Sequence, residues 1–146
     1  MYSFIVNPNA SGGRGERIWR RLEKQLKHLG VPYEAFVTEK TGDARRLACD
    51  LTEHQREPRI LIAVGGDGTV SEVLDGISFC GPVTLGYIPT GSGNDLARSL
   101  RLPKSPSRCL KKILNPKYHK LLDYGVLSYG DHLTHRRFMV STGIGM

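Results

Sequence analysis

The chain has 146 residues, a mass of 16.2 kDa and a net charge of +7, a length that suits one domain of ~100–200 residues. At that size roughly 68–70% of the unfolded surface is buried on folding, so no metal or disulfide staple is required. With 39% hydrophobic and 24% charged residues, disordered, collagen-like and coiled-coil chains are excluded.

The first predicted element is a short β-rich run from Tyr2 to Val6, stopped by Asn7-Pro8-Asn9. Ile18, Leu22, Leu26 and Leu29 then recur at helical spacing, and Gly30 with Pro32 beyond supplies the stop. A second strand is expected from Tyr33 to Val37. A helix from about Asp43 to His54 follows, with Ala44, Leu47, Ala48 and Leu51 on one face. Ile60 to Val64 is an unbroken apolar run ending on Gly65-Gly66, as in a parallel strand covered on both faces. A helix from about Thr69 to Ile77 precedes a strand from Thr84 to Ile88 that ends at Pro89. Short helices are expected near Asn94 to Leu100 and from Pro106 to Leu114, with final strands near His119–Asp123 and Phe138–Ser141. Strands alternating with helices predict an α/β layered sheet with right-handed crossovers.

Seventeen glycines stand well above the average usage of ~7%. Eight of them form three clusters, Gly12/Gly13/Gly15, Gly65/Gly66/Gly68 and Gly91/Gly93. Each cluster follows the carboxyl end of a predicted strand and precedes a helix. In open α/β sheets that edge binds ligands, and helix N-termini there offer N–H groups and partial positive charge to phosphates.

The string Gly65-Gly66-Asp67-Gly68-Thr69 lets backbone pass against a phosphate where a Cβ would clash. Asp67 places a carboxylate beside that phosphate, for which Mg²⁺ is the natural mediator. Thr69 suits either a helix cap or a phosphate contact. A tight turn with an acidic cap is the plainer alternative. A Walker A loop is excluded because no lysine follows these glycines suitably. The first glycine cluster fails the dinucleotide fingerprint at Ile18, and Ser92 lacks the flanking glycines of a nucleophile elbow.

The three cysteines, Cys49, Cys80 and Cys109, are odd in number and not spaced as metal ligands, as expected for reduced thiols in a cytosolic protein. No stretch reaches the ~18–20 apolar residues of a membrane span. No signal peptide is expected, since the start has neither a basic region nor a cleavage site. Residues 14–28 carry six Lys/Arg against two acids, and residues 98–137 carry ten against two. Such basicity suits phosphate-bearing partners.

Gly65-Gly66-Asp67-Gly68-Thr69 followed by Glu72-Val73 is joined downstream by Ile88-Pro89-x-Gly91-Ser92-Gly93-Asn94-Asp95-Leu96-Ala97. Together they resemble the diacylglycerol kinase catalytic domain, of the superfamily that includes bacterial lipid, sphingosine and ceramide kinases. Asn7-Pro8 with Ser11-Gly12 matches its opening motif with one extra residue. Thr38-Glu39-x-x-Gly42-Asp43-Ala44 matches its next segment. Thr90 to Asp95 departs from the corresponding segment of NAD kinases, which share the Gly-Gly-Asp-Gly string.

The resemblance implies a three-layer αβα, Rossmann-like parallel sheet and an ATP-dependent lipid kinase, with ATP and Mg²⁺ as cofactors. It implies a nucleotide lined by Asn7, Ser11, Gly12 and Thr38. The phosphates would lie against Gly65, Gly66, Asp67, Gly68, Thr69 and Glu72, with Gly91, Ser92 and Asn94 completing the cradle. Asp67, Asp95 and Asp123 correspond to an Mg²⁺-linked acidic network. Asp95 equally suits a helix cap, Asp123 a solvated strand end, Glu72 a surface acid and Thr38 a plain strand end. No histidine stands in a constellation that nominates a base. In the family a glutamate of a second, β-rich domain serves, and residues 141–146 resemble the crossover into it. The chain is therefore expected to be a nucleotide-binding half, with a stand-alone nucleotide-binding module or an NAD kinase-like enzyme as alternatives.

Arg17, Arg20, Arg21, Lys24 and Lys27 share a face opposite Ile18, Leu22 and Leu26. That face is either simply solvated or a contact for an anionic bilayer, with the protein peripheral at the inner membrane face. Nucleic acid is not an expected partner, for lack of a motif or interleaved aromatics. A homodimer is left open.

Overall fold

The computed structural model describes residues 1–54, 56–78, 81–91 and 95–115, together with the backbone of 123–129 and 134–140. In chain order the elements are β1 (Tyr2–Val6), α1 (Arg14–Leu29), β2 (Tyr33–Val37), α2 (Asp43–Thr52), β3 (Arg59–Gly65) and α3 (Asp67–Gly76). They continue with β4 (Val83–Pro89), α4 (Asp95–Ser99), α5 (Pro106–Ile113), β5 (Asp123–Tyr129) and β6 (Thr134–Val140).

Strands β1 to β4 form one parallel sheet in the order β2-β1-β3-β4. Alternation along each strand splits the core into two layers. Phe4, Val6, Ile62, Val64 and Ile88 pack against Ile18, Trp19, Leu22 and Leu26 of α1 and Leu110 of α5. Ile5, Leu61, Ala63 and Tyr87 face the other side, against α2 and α3 through Ala44, Ala48, Val70, Val73 and Leu74. The result is the expected αβα sandwich. Each fully buried aliphatic side chain contributes roughly 1.5–3 kcal/mol.

Helix α1 ends as the sequence predicts: Gly30 adopts φ 67, and its N–H and that of Val31 close onto Lys27 and Leu26 carbonyls. Leu29 departs from the predicted apolar stripe and is 55% exposed. Nearer the start of the helix, Trp19 adds to the buried face, its ring tilted against Phe4 and edge-on to Tyr33 at centroid distances of 5.1 and 6.1 Å. One residue of helical rotation carries Leu29 past the sheet just as the chain turns.

The last third differs from an alternating α/β reading. Strands β5 and β6 pair antiparallel, with Asp123 opposite Val140 and Tyr129 opposite Thr134. A parallel crossover needs a dozen or more residues, and the link between Tyr129 and Thr134 is far shorter. The predicted strand near His119 meets this ribbon only at Asp123, and residues 119–122 and 141 lie outside the described residues.

Candidate functional site

The first three helices start at one edge of the sheet, after the carboxyl ends of β1, β2 and β3. Each has glycine at its N-cap, Gly13, Gly42 and Gly66, and none has a side-chain cap. Helix α5, away from this edge, is capped by the Ser105 hydroxyl. At α1 the Arg14, Gly15 and Glu16 N–H groups donate to the Ser11, Ala10 and Pro8 carbonyls, and at α2 the Gly42 N–H donates to Glu72. Helix α3, which starts between Gly66 and Gly68, is therefore the one that points its positive dipole end into open space.

A cleft of about 710 Å³ opens there. Its walls include Asn7, Ser11, Gly66, Gly68, Thr69, Glu72 and Gly91, all anticipated from sequence. A Cβ added at Gly66 or Gly68 would meet nothing within 4 Å, so these glycines leave open the space a side chain would fill. Gly65 is different. A Cβ there would lie 2.5 Å from Thr69 Oγ1, so this glycine serves the close turn from β3 into α3. Asn7 Nδ2 donates to Thr69 Oγ1 at 3.3 Å and the Asn7 N–H to the Val64 carbonyl at 2.8 Å, tying the first loop to the third. Ser11 and Gly12 both have positive φ, 51 and 65, which bends the β1–α1 loop over the cleft.

Asp67 opens α3, half-buried. Its Oδ1 accepts from the Tyr87 hydroxyl at 2.8 Å, and its Oδ2 from the Leu96 N–H at 3.2 Å. The carboxylate thus joins α3 to β4 and to the start of α4. Burial, then the hydrogen bond to Asp67 and its charge, push the Tyr87 phenol far above its ordinary range, so it stays a neutral donor. A carboxylate has about four lone-pair sites, and two remain for a ligand. Glu72 lies on the same helix and accepts from the Gly42 N–H, bridging α3 to the start of α2.

Other expected residues fall elsewhere. Thr38 is buried at the end of β2, its N–H on the Val6 carbonyl, and it is not among the cleft residues. Asp95 pairs with Arg98 one turn along α4 rather than with Asp67. Asp123 begins β5, and its side chain lies outside the described residues, as do Ser92, Gly93 and Asn94. Among the described residues no group of three His, Cys, Asp or Glu side chains could hold a metal. Asp67 stands between the cleft residues Gly66 and Gly68 but is not itself among them, and the carboxylates that line the cleft are Glu72 and Asp75. A single carboxylate at Asp67 fits the one or two that Mg²⁺ usually takes. Arg17, Arg20, Arg21, Lys24 and Lys27 are all exposed on α1, with Arg20 paired to Glu16 at 2.7 Å.

Sequence reasoning missed Thr41, Arg45, Ser71 and Asp75, which also line the cleft. A signal for two of them existed. Gly68, Ser71, Glu72 and Asp75 recur at helical spacing, opposite the buried Val70, Val73 and Leu74. It also missed Tyr87, which reads as an ordinary strand aromatic.

The match to a family model decides the kinship: the diacylglycerol kinase catalytic domain covers residues 1–125. The chain belongs to that family. It is 35% identical over 102 residues to a Bacillus subtilis protein named as a lipid kinase, covering 69% of this chain and 33% of that protein. It is 38% identical over 100 residues to a diacylglycerol kinase of Staphylococcus saprophyticus, covering 68% of this chain and 32% of the relative. A crystal structure of a Bacillus anthracis diacylglycerol kinase superposes with a TM-score of 0.69 at 28% identity, covering 92% of this chain and 44% of that one. This diacylglycerol kinase-family chain thus spans about a third of the length of these curated relatives. Among its described residues no helix is long and apolar enough to cross a membrane.

Proposed function

We propose that the chain binds ATP with Mg²⁺ in the cleft and supplies the nucleotide half of a lipid kinase. The reaction is transfer of the γ-phosphoryl group to a lipid hydroxyl, diacylglycerol giving phosphatidic acid. The observation that carries the reading is the glycine-lined cleft at the start of α3, where the N-cap Gly66 and the following Gly68 leave open space beside the helix N-terminus. Phosphates suit such a place because N–H donors and helix dipoles act together. Gly66 and Gly68 admit the phosphate chain, with Thr69, Asn7 and Ser11 as polar neighbours. Ser92 and Asn94 close the cradle on this reading, and Gly12 bends the β1–α1 loop beside it.

Mg²⁺ supplies neutralisation of phosphate charge when bound. Asp67 would hold it, with Asp123 as a further acid of the network; Asp95 would join only by giving up its pairing with Arg98. Phosphoryl transfer also needs a group to take the hydroxyl proton. On this reading that base and the lipid pocket belong to a β-rich domain following these residues, in keeping with the third of the relatives' length that the chain spans.

The test is equilibrium binding of ATP, with and without Mg²⁺, to the protein and to Gly68→Val. Open space around Gly68 lets the fold accept the side chain. Unchanged thermal stability with lost ATP binding is expected, and ATP binding by Gly68→Val as tight as the parent's overturns the assignment. The exposed basic face of α1 is proposed as a contact for an anionic bilayer, at ~1 kcal/mol per basic residue near the surface. Vesicle binding indifferent to lipid charge and salt would remove it.

A further inference from the structure

The glycine end of the cleft accounts for phosphates, but its other end is built from side chains. Arg45, on α2, is the single basic side chain among the described cleft residues. Its Nε donates to Asp75 Oδ2 on α3 at 3.0 Å, with the Asp75 side chain only 9% exposed and that of Arg45 64% exposed. The backbone beneath is equally fixed. A Cβ on Gly76 would lie 2.1 Å from the Arg45 carbonyl oxygen, so α2 and α3 touch there main chain to main chain. Arg45 is therefore held in place by a nearly buried carboxylate and by helix contact, while its side chain remains largely exposed at the cleft wall.

Its position along the cleft settles what it can meet. Asp75 lies eight residues beyond Asp67 on α3, about 12 Å along the axis at ~1.5 Å per residue. A guanidinium anchored at Asp75 is thereby kept at the end away from the phosphate-binding turn. We propose that Arg45 is a specificity residue for the nucleoside part of the bound nucleotide, its planar cation stacking on the base. Asp75 is its positioning partner. Guanidinium planes stack on aromatic rings, which ammonium groups do not reproduce. This inference rests on the nucleotide reading of the cleft.

The experiment compares ATP with inorganic triphosphate as ligands for the parent, Arg45→Ala, Arg45→Lys and Asp75→Asn proteins, by equilibrium titration. ATP affinity is expected to fall about five- to tenfold in Arg45→Ala, the loss of one partly desolvated cation–π contact. Triphosphate affinity is expected to hold. Arg45→Lys, which keeps the charge and the fold, is expected to lose ATP affinity without regaining the parent value. Asp75→Asn is expected to show a smaller loss of the same kind. Undiminished ATP affinity in both Arg45 variants, or equal losses for ATP and triphosphate, overturns the assignment while leaving the nucleotide site intact. Failure of the parent to bind either ligand overturns both.

Discussion

Replacing Asp67 separates its two duties. Its carboxylate accepts from the Tyr87 hydroxyl and from the Leu96 N–H, and Tyr87 is 4% exposed. Asp67→Ala removes both acceptors and strands a buried hydroxyl, at about 1–3 kcal/mol for a buried unsatisfied group plus a smaller loss at half-buried Leu96, so roughly 2–4 kcal/mol. Asp67→Asn behaves differently. With its carbonyl toward the Leu96 N–H and its NH₂ toward the Tyr87 oxygen, the amide keeps both contacts as neutral bonds but reverses the second and leaves the Tyr87 O–H proton without this acceptor, at a cost of about 1–2 kcal/mol. Tyr87→Phe leaves the carboxylate on Leu96 and is expected to cost about 1–2 kcal/mol. Urea denaturation of the three variants measures these values. Their ATP–Mg²⁺ affinities then isolate the charge, with a loss of at least about tenfold expected for Asp67→Asn and a smaller one for Tyr87→Phe. Asp67→Ala within about 0.5 kcal/mol of the parent, the range of an inert surface change, would refute the bridging role. Asp67→Asn binding ATP–Mg²⁺ like the parent would refute the metal role.

Gly76→Ala gains helix propensity but drives a Cβ onto the Arg45 carbonyl. A net loss of about 1–2 kcal/mol is expected in urea, and a neutral result would mean that α2 and α3 part easily. Leu22→Ala, at a fully packed site under α1, is expected to cost about 2–5 kcal/mol by the same measurement. The Glu39 and Lys40 N–H groups donate to Asp43 at 2.8 and 3.0 Å and hold its carboxyl below the usual 3.8. A depressed native value means this stabilisation is present above that pH and fades as pH falls through the native value. Asp43→Asn should therefore flatten the acid limb of a stability–pH curve below about pH 4. Tyr33 is pushed up to about 12 by burial, then by its hydrogen bond to Glu23 and that charge. Its stabilisation is full below pH 10 and lost as pH rises from 10 to about 12. Glu23→Gln should lower the value in an absorbance titration of the phenol, and an unchanged titration would contradict the contact.

Much of the sheet was legible because its central strands β1 and β3 are mostly buried. Ile60 to Val64 has no polar interruption, and the residues around it punctuate cleanly. Gly30 ends α1 by a conformation only glycine takes easily, so that boundary is local chemistry. The Gly65-to-Thr69 string was legible for a similar reason: Gly66 and Gly68 stand where an added Cβ would meet no protein atom. Leu29 failed because its periodicity was right while the sheet beneath it had ended. The strand expected near Phe138–Ser141 overlaps β6, but its antiparallel pairing with β5 was missed, because alternation of strand and helix says nothing about a strand that simply turns back.

The sequence by itself determined the layered α/β class, the basic outer face of α1 and the glycine-rich loops that line the cleft. These rest on burial periodicity, charge spacing and backbone freedom, which act over a few residues. The tertiary structure alone decided that Asp67 bridges to Tyr87 and Leu96. It also decided that Glu72 reaches Gly42, and that Arg45 is clamped by Asp75 across two helices. Each of those joins residues about 20 to 30 positions apart. Only the packing of α2, α3 and α4 on the sheet brings them within hydrogen-bond reach, where direction and distance select the partner.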